Sequence, residues 1–312
     1  MFIVLLIAAM AVWGGSWVSG KLVTTSMHPL AVAFFRFLLT FLAFSVTLVV
    51  LRRKPVIDLK SFLLVTGGAV VMCGYNLLFF AGLSTGLSGA GGVLVTSINP
   101  VFTFIIAAAL YRKAVRPRDV IGMVLGLAGG LVLLEVWHLS PADLLSSGNL
   151  IFIIASVLWA VLTIISGASQ KRLSLFVYSF YLYGIASCVS FFIALPFGME
   201  KAFRPDPLFW GNIIYLSVIT SFCATSVYFL ASRRLSAGRA SSFNLFVPLF
   251  AVMGSWLVLG EVPRSVTVVG AVCAMVAIYL INGRSKNGLP AEAAPVVPDE
   301  PAAASSAEED RP

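Results

Sequence analysis

Apolar residues run almost without a break from Phe2 to Ile281, in ten stretches that are each long enough to cross a bilayer. They fall near 2–20, 30–51, 61–83, 88–111, 118–136, 149–168, 175–195, 208–232, 238–260 and 265–283. A helix needs about 20 mainly apolar residues to span the hydrocarbon core. Lipid offers backbone groups no water, so each must be satisfied inside its own helix or in a closed barrel. The stretches are too long and too continuously apolar for barrel strands. The expected fold class is therefore all-α integral membrane, with ten transmembrane helices. At 59% hydrophobic and 11% charged, the composition belongs to the same class and overrides the two soluble domains that 312 residues would suggest.

The net charge of +8 would suggest nucleic acid as the partner of a soluble chain. Here the basic residues sit in short loops, and orientation explains them. With the N-terminus in the cytoplasm, the inner segments hold Arg52, Arg53, Lys54, Lys60, Arg112, Lys113, Arg116, Arg118, Lys171, Arg172, Arg233, Arg234, Arg239, Arg284, Lys286 and Arg311. The outer segments hold Lys21, Lys201, Arg204 and Arg264, a split of sixteen to four. This positive-inside bias supports both the ten spans and cytoplasmic termini. The first apolar run continues past Trp13 to about Gly20, as a retained span does, so no cleavable signal peptide is expected. Cys73, Cys188, Cys223 and Cys273 all lie within spans and read as small packing residues. The tail, 284–312, is rich in Ala, Pro, Ser and carboxylates and is expected to be a disordered cytoplasmic segment.

A shift of 148 residues lays Phe80–Leu134 over Tyr228–Asn282 without a gap. The matches include Ser84/Ser232, Ser88/Ser236, Pro100/Pro248, Phe102/Phe250, Arg116/Arg264 and Gly122/Gly270. Trp13 lies at a similar depth of span one to Trp159 in span six. The chain thus divides into a first five-helix repeat, 1–139, and a second, 140–283. Five is odd, so the second half enters the membrane from the opposite side. Inverted repeats are typical of secondary transporters, whose substrate site lies near the midplane where the repeats meet.

Ala11-Val-Trp13-Gly-Gly-Ser-Trp17 in span one, Arg36 after Pro29 in span two, the Pro100 and Pro248 spans, and Leu259-Gly-Glu261 closing span nine carry a resemblance. Over residues 1–283 the chain resembles the EamA-type family of the drug/metabolite transporter superfamily. The resemblance implies a ten-helix inverted-repeat carrier in which spans 1–4 and 6–9 enclose a cavity and spans five and ten pack outside. It implies small metabolites, amino acids or drugs as cargo, often moved outward. The first half departs from the pattern, since Arg112-Lys113 stands opposite Gly260-Glu261.

Arg36 is the basic residue deep inside a span, about 9 Å from the outer end of span two. It either meets a substrate carboxylate or acts structurally, snorkelling outward or capping a broken helix. Trp13 and Trp17 share a helix face, and with Trp159 they either line an aromatic cavity or pack as anchors. Asn76, Asn99 and Asn244 are polar groups within spans; Asn99 directly precedes Pro100 and Asn244 lies four residues before Pro248. Proline opens the backbone ladder one turn earlier, which favours a polar patch at Asn99 and Asn244, whereas Asn76 reads as interhelical glue. Tyr75, Tyr181, Tyr183 and Tyr228 are further candidates for the cavity wall. The small-residue faces Gly122-xxx-Gly126-xxx-Gly130 and Gly270-xxx-Ala274 serve close packing within the fold or, as the second reading, a homodimer. The Gly86–Gly92 cluster follows a membrane span rather than a strand and so fails as a nucleotide loop.

Asp58, Asp119, Glu135 and Glu261 all lie near span ends, so proton antiport through a mid-span carboxylate is not expected. The acid–base pairs and metal-ligand sets of intramembrane enzymes are missing, and His28 and His138 fall in outward loops. The chain is expected to be a carrier rather than an enzyme, without cofactor or metal, in a bacterial inner membrane. Its partners would be lipid and a small organic solute, with amino acids or related metabolites first, exported by alternating access. A non-transporting receptor or assembly protein, and an exporter of drugs, stay open as alternatives.

Overall fold

Proline and capping side chains set the first helix boundaries. The computed structural model describes residues 1–85, 88–112, 116–133, 136–138, 147–197, 199, 207–251, 253 and 265–282. Helix α1 (Phe2–Ser26) stops where Met27 turns extended, at φ −147° and ψ 154°. Pro29 then opens α2 (Pro29–Val50) at a position where its missing N–H is not needed. Asp58 precedes α3 (Leu59–Thr85), and its carboxylate accepts the Ser61 N–H at 3.2 Å. Helix α4 (Ser88–Tyr111) carries Pro100 in its interior, and α5 (Pro117–Leu133) again begins on proline. Helix α6 (Ser147–Ser169) is followed by α7 (Leu175–Ala194), which is capped by Ser174.

The second half is less regular than its apolar pattern suggests. Helix α8 (Pro207–Leu235) is α-helical at both ends but π-helical over Tyr215–Ala224. The Ser221 and Thr225 hydroxyls donate to carbonyls five residues back, Leu216 and Thr220, at 2.9 and 3.0 Å. Helix α9 starts as Ala237–Ser242, tightens to a 3-10 turn over Phe243–Phe246 and runs on through 247–251. The Ser236 linker between α8 and α9 holds φ 85° and ψ 153°. Helix α10 is Ser265–Asn282. The Leu259-Gly-Glu261 motif, Arg264, Glu135, Lys113, Lys201, Arg204, Gly86 and the 284–312 tail lie outside the described residues.

Among the described residues there is no strand, and six helices are long and apolar enough to cross a membrane: α1, α2, α3, α6, α7 and α8. Val95–Tyr111 and Val268–Asn282 are shorter apolar helices. The surface is oily where a soluble protein would be polar, with Val46, Val49, Phe192 and Val268 all exposed, while Thr40, Asn99 and Ser217 are fully buried. That distribution suits lipid outside and polar contacts inside. The closest packing joins α3 to α6, α4 to α6, α2 to α7, α5 to α10, and α1 to the π segment of α8. Small residues set the α5–α10 contact. A Cβ added at Gly129 would stand 2.8 Å from Cys273 Cβ, and one at Gly122 would stand 3.1 Å from the Ala277 carbonyl oxygen. These faces therefore serve packing within the chain, and Gly130 faces Ser97 of α4 instead.

Candidate functional site

The seam between α1, α2, α3, α4, α6, α8 and α9 encloses a small cavity of about 40 Å³. Three helices, α2, α3 and α8, meet at Arg36 on its wall. The residue is only 8% exposed. Its Nε donates to Ser221 Oγ at 2.9 Å and its Nη1 donates to Asn76 Oδ1 at 3.1 Å. The guanidinium lies 5.9 Å from the centre of the Phe80 ring. Asn76 is itself held by donating to the Met72 carbonyl at 3.1 Å, and its contact with Arg36 joins α3 to α2. Arg36 does not snorkel outward. Both acceptors are neutral, and among the described residues no carboxylate lies within ion-pairing distance. A buried cation with spare donors is costly unless an anion joins it.

Aromatic rings form a belt beside this cation. Trp13 meets Trp159 edge-on at 5.2 Å between centroids, and Tyr228 at 4.8 Å. Tyr75 lies 4.6 Å from Trp159. Trp17 packs on Phe79 at 4.9 Å and on Phe152 at 5.9 Å. Gly14 lets α1 sit at the centre of this arrangement, because a Cβ there would come within 2.8 Å of the Ala251 nitrogen.

A third group ties α4, α6 and α9 together. Asn99 Nδ2 donates to the Ser156 carbonyl at 3.0 Å, and Asn244 Nδ2 donates to Asn99 Oδ1 at 2.8 Å. Both asparagines are buried.

Of the residues read from sequence, Trp13, Trp17, Arg36, Tyr75, Trp159 and Asn244 line the cavity. Asn76, Asn99 and Tyr228 stand directly behind that wall through the contacts above. Tyr181 does not join them. Its hydroxyl donates to the Pro55 carbonyl at 2.6 Å, which places it at the α2–α3 loop. Tyr183 is buried against Phe44, at 5.8 Å. Sequence reasoning missed Ser16, Phe79, Val95, Thr96, Thr220, Thr225 and Val247 on the wall, and Ser221 as the partner of Arg36. The available signal was the hydroxyl series Ser217, Thr220, Ser221 and Thr225 inside one apolar span.

The EamA-like transporter family model matches residues 1–134 and again 146–283. An uncharacterized transporter of Archaeoglobus fulgidus is 25% identical over 90% of this chain and 96% of that protein. A "Probable amino-acid metabolite efflux pump" of Salmonella typhimurium is 23% identical over 89% of this chain and 93% of that one. A crystal structure of a protein 16% identical in sequence superposes with a TM-score of 0.69 over 89% of this chain and 94% of its own, a likeness of fold. The apolar helices and these matches define a multi-pass membrane transporter. The chain belongs to the EamA-like transporter family, within the drug/metabolite transporter type.

Proposed function

We propose that this protein is a secondary carrier of the bacterial inner membrane that exports small organic solutes bearing a carboxylate, amino acids or related metabolites first among them. The observation that carries the reading is Arg36, a buried cation on the wall of an aromatic cavity with only neutral partners among the described residues. A substrate carboxylate would supply the missing anion through paired N–H donors. The likeness to the Salmonella typhimurium probable amino-acid metabolite efflux pump supports amino-acid metabolites as cargo and efflux as direction.

Ten spans in two inverted halves, 1–139 and 140–283, complete the proposal. Two separate family-model matches support it, and so does the packing. Exchanging each helix with the one five later maps α2–α7 and α5–α10 onto themselves and turns α3–α6 into α8–α1, all of them close pairs. Nearly equivalent halves that swap conformations would expose one cavity to either side in turn.

The test is solute exchange by the purified protein in liposomes loaded with labelled amino acids. Saturable exchange is expected; binding without exchange across the whole panel refutes the carrier reading. Cysteine labelling at Arg116 and Arg264 is expected to report opposite membrane faces, with both termini cytoplasmic. Labelling on one face would remove the inverted arrangement.

A further inference from the structure

We propose that Asn244 is the residue that distinguishes an ammonium-bearing carboxylate from a plain carboxylate in this cavity; the inference rests on the Arg36 reading above and adds the second half of the recognition. The argument follows the donors. Asn99 Nδ2 donates to the Ser156 carbonyl at 3.0 Å, which turns Asn99 Oδ1 toward α9. Asn244 must then present its Nδ2, and it does so at 2.8 Å. This settles which end of the Asn244 amide is which, because the opposite orientation would set two carbonyl oxygens against each other. Asn244 Oδ1 is thereby left without a hydrogen-bond partner on a residue that is 2% exposed and lines the cavity. The Tyr228 hydroxyl stands close by, but it is engaged elsewhere. Thr163 Oγ1 donates to the Trp159 carbonyl at 2.8 Å and pairs with the Tyr228 hydroxyl at 3.1 Å.

The cavity therefore carries two buried groups of opposite polarity that the protein does not satisfy. Arg36 offers cationic N–H donors, and the unpartnered Thr220 hydroxyl beside the Ser221 turn adds another. Asn244 offers a bare acceptor, and Trp13 and Trp159 on the same wall offer aromatic rings. An alkylammonium suits the second set, with one N–H to Oδ1 and its charge toward the rings. A zwitterion satisfies both sets at once. A simple carboxylate leaves Asn244 Oδ1 without a donor, and a simple amine brings a second cation toward Arg36. Discrimination of this kind is a difference between affinities, set as much by the rejected ligand as by the accepted one.

The experiment is competition in the liposome exchange assay with two matched triads: phenylalanine, hydrocinnamate and phenethylamine; leucine, isocaproate and isoamylamine. Wild type is expected to take each amino acid roughly tenfold better, or more, than its des-amino partner, the scale of one hydrogen bond to a charged group. In Asn244→Leu the ratio is expected to fall toward one through loss of the amino acid. Equal competition by amino acid and des-amino acid in wild type overturns the role of Asn244. So does an unchanged ratio in folded Asn244→Leu. If that variant does not fold, the wild-type ratio alone decides. Wild type that exchanges the carboxylates but ranks them equally refutes only this inference. Wild type that exchanges neither amino acid nor des-amino acid refutes the Arg36 reading beneath it.

Discussion

Replacing Arg36 with methionine separates recognition from architecture. In the fold Arg36 makes two side-chain hydrogen bonds, to Ser221 and to Asn76. Removing it leaves Asn76 Oδ1 without its donor, a cost of about 1–3 kcal/mol for a buried acceptor. Ser221 loses less, because its own proton still goes to the Leu216 carbonyl. Against this cost stands the relief of a buried guanidinium that no carboxylate among the described residues neutralises, a desolvation penalty of several kcal/mol. Methionine is apolar, flexible and of similar reach, so it can lie beside Phe80. The sum favours unchanged or raised stability in Arg36→Met. Transport is expected to move the other way. A charge-assisted hydrogen bond contributes about 1.5–3 kcal/mol, so the loss of one weakens carboxylate binding roughly ten- to a hundredfold. The measurements are thermal unfolding of the detergent-solubilised protein and concentration-dependent exchange in liposomes. A folded variant that exchanges carboxylates within about twofold of wild type would refute the contact. A marked fall in melting temperature with parallel loss of transport would instead make Arg36 an architectural residue.

Three other perturbations probe the scaffold. Gly14→Ala places a Cβ within 2.8 Å of both the Ala251 nitrogen and Phe250 Cβ, so overpacking should cost about 1–3 kcal/mol and reduce transport, whereas Gly67→Ala meets nothing within 4 Å and should leave both intact. Ser236→Gly relieves a backbone conformation at φ 85° and ψ 153° that favours glycine, and should raise stability by about 1 kcal/mol once glycine's larger unfolded-state entropy is subtracted. Asn99→Leu deprives Asn244 Nδ2 of its partner, at about 1–3 kcal/mol, while the Ser156 carbonyl loses a side-chain donor but lies within helix α6. Thermal unfolding should report that loss directly, and a melting temperature equal to wild type would show that the asparagine bridge bears no load.

What could be read from sequence follows from what lipid forbids. A membrane span must be long and apolar whatever it packs against, so α1, α2, α3, α6, α7 and α8 were visible in composition alone. Arg36 stood out for the same reason, as a charge where charge is costly. Trp13 and Trp159 could be paired through their equal depth, and their rings do meet. Residues whose role depends on backbone geometry were hidden. On an ordinary α-helix, Thr220 and Thr225 would point about 140° apart. The π segment over Tyr215–Ala224 puts residues five apart in register, so both line the cavity and Ser221 reaches Arg36. Hydroxyl residues in an apolar span do not announce such a turn. Tyr181 was misplaced for a related reason. Nothing in the text of α7 separates it from Tyr183, yet one hydroxyl reaches a loop carbonyl and the other ring is buried against α2. The asparagines show the limit most clearly. Asn99 and Asn244 look alike on paper, one directly before a proline and the other four residues before one. Only the contact between them reveals that one amide is satisfied by the protein while the other, on the cavity wall, keeps an acceptor without a partner.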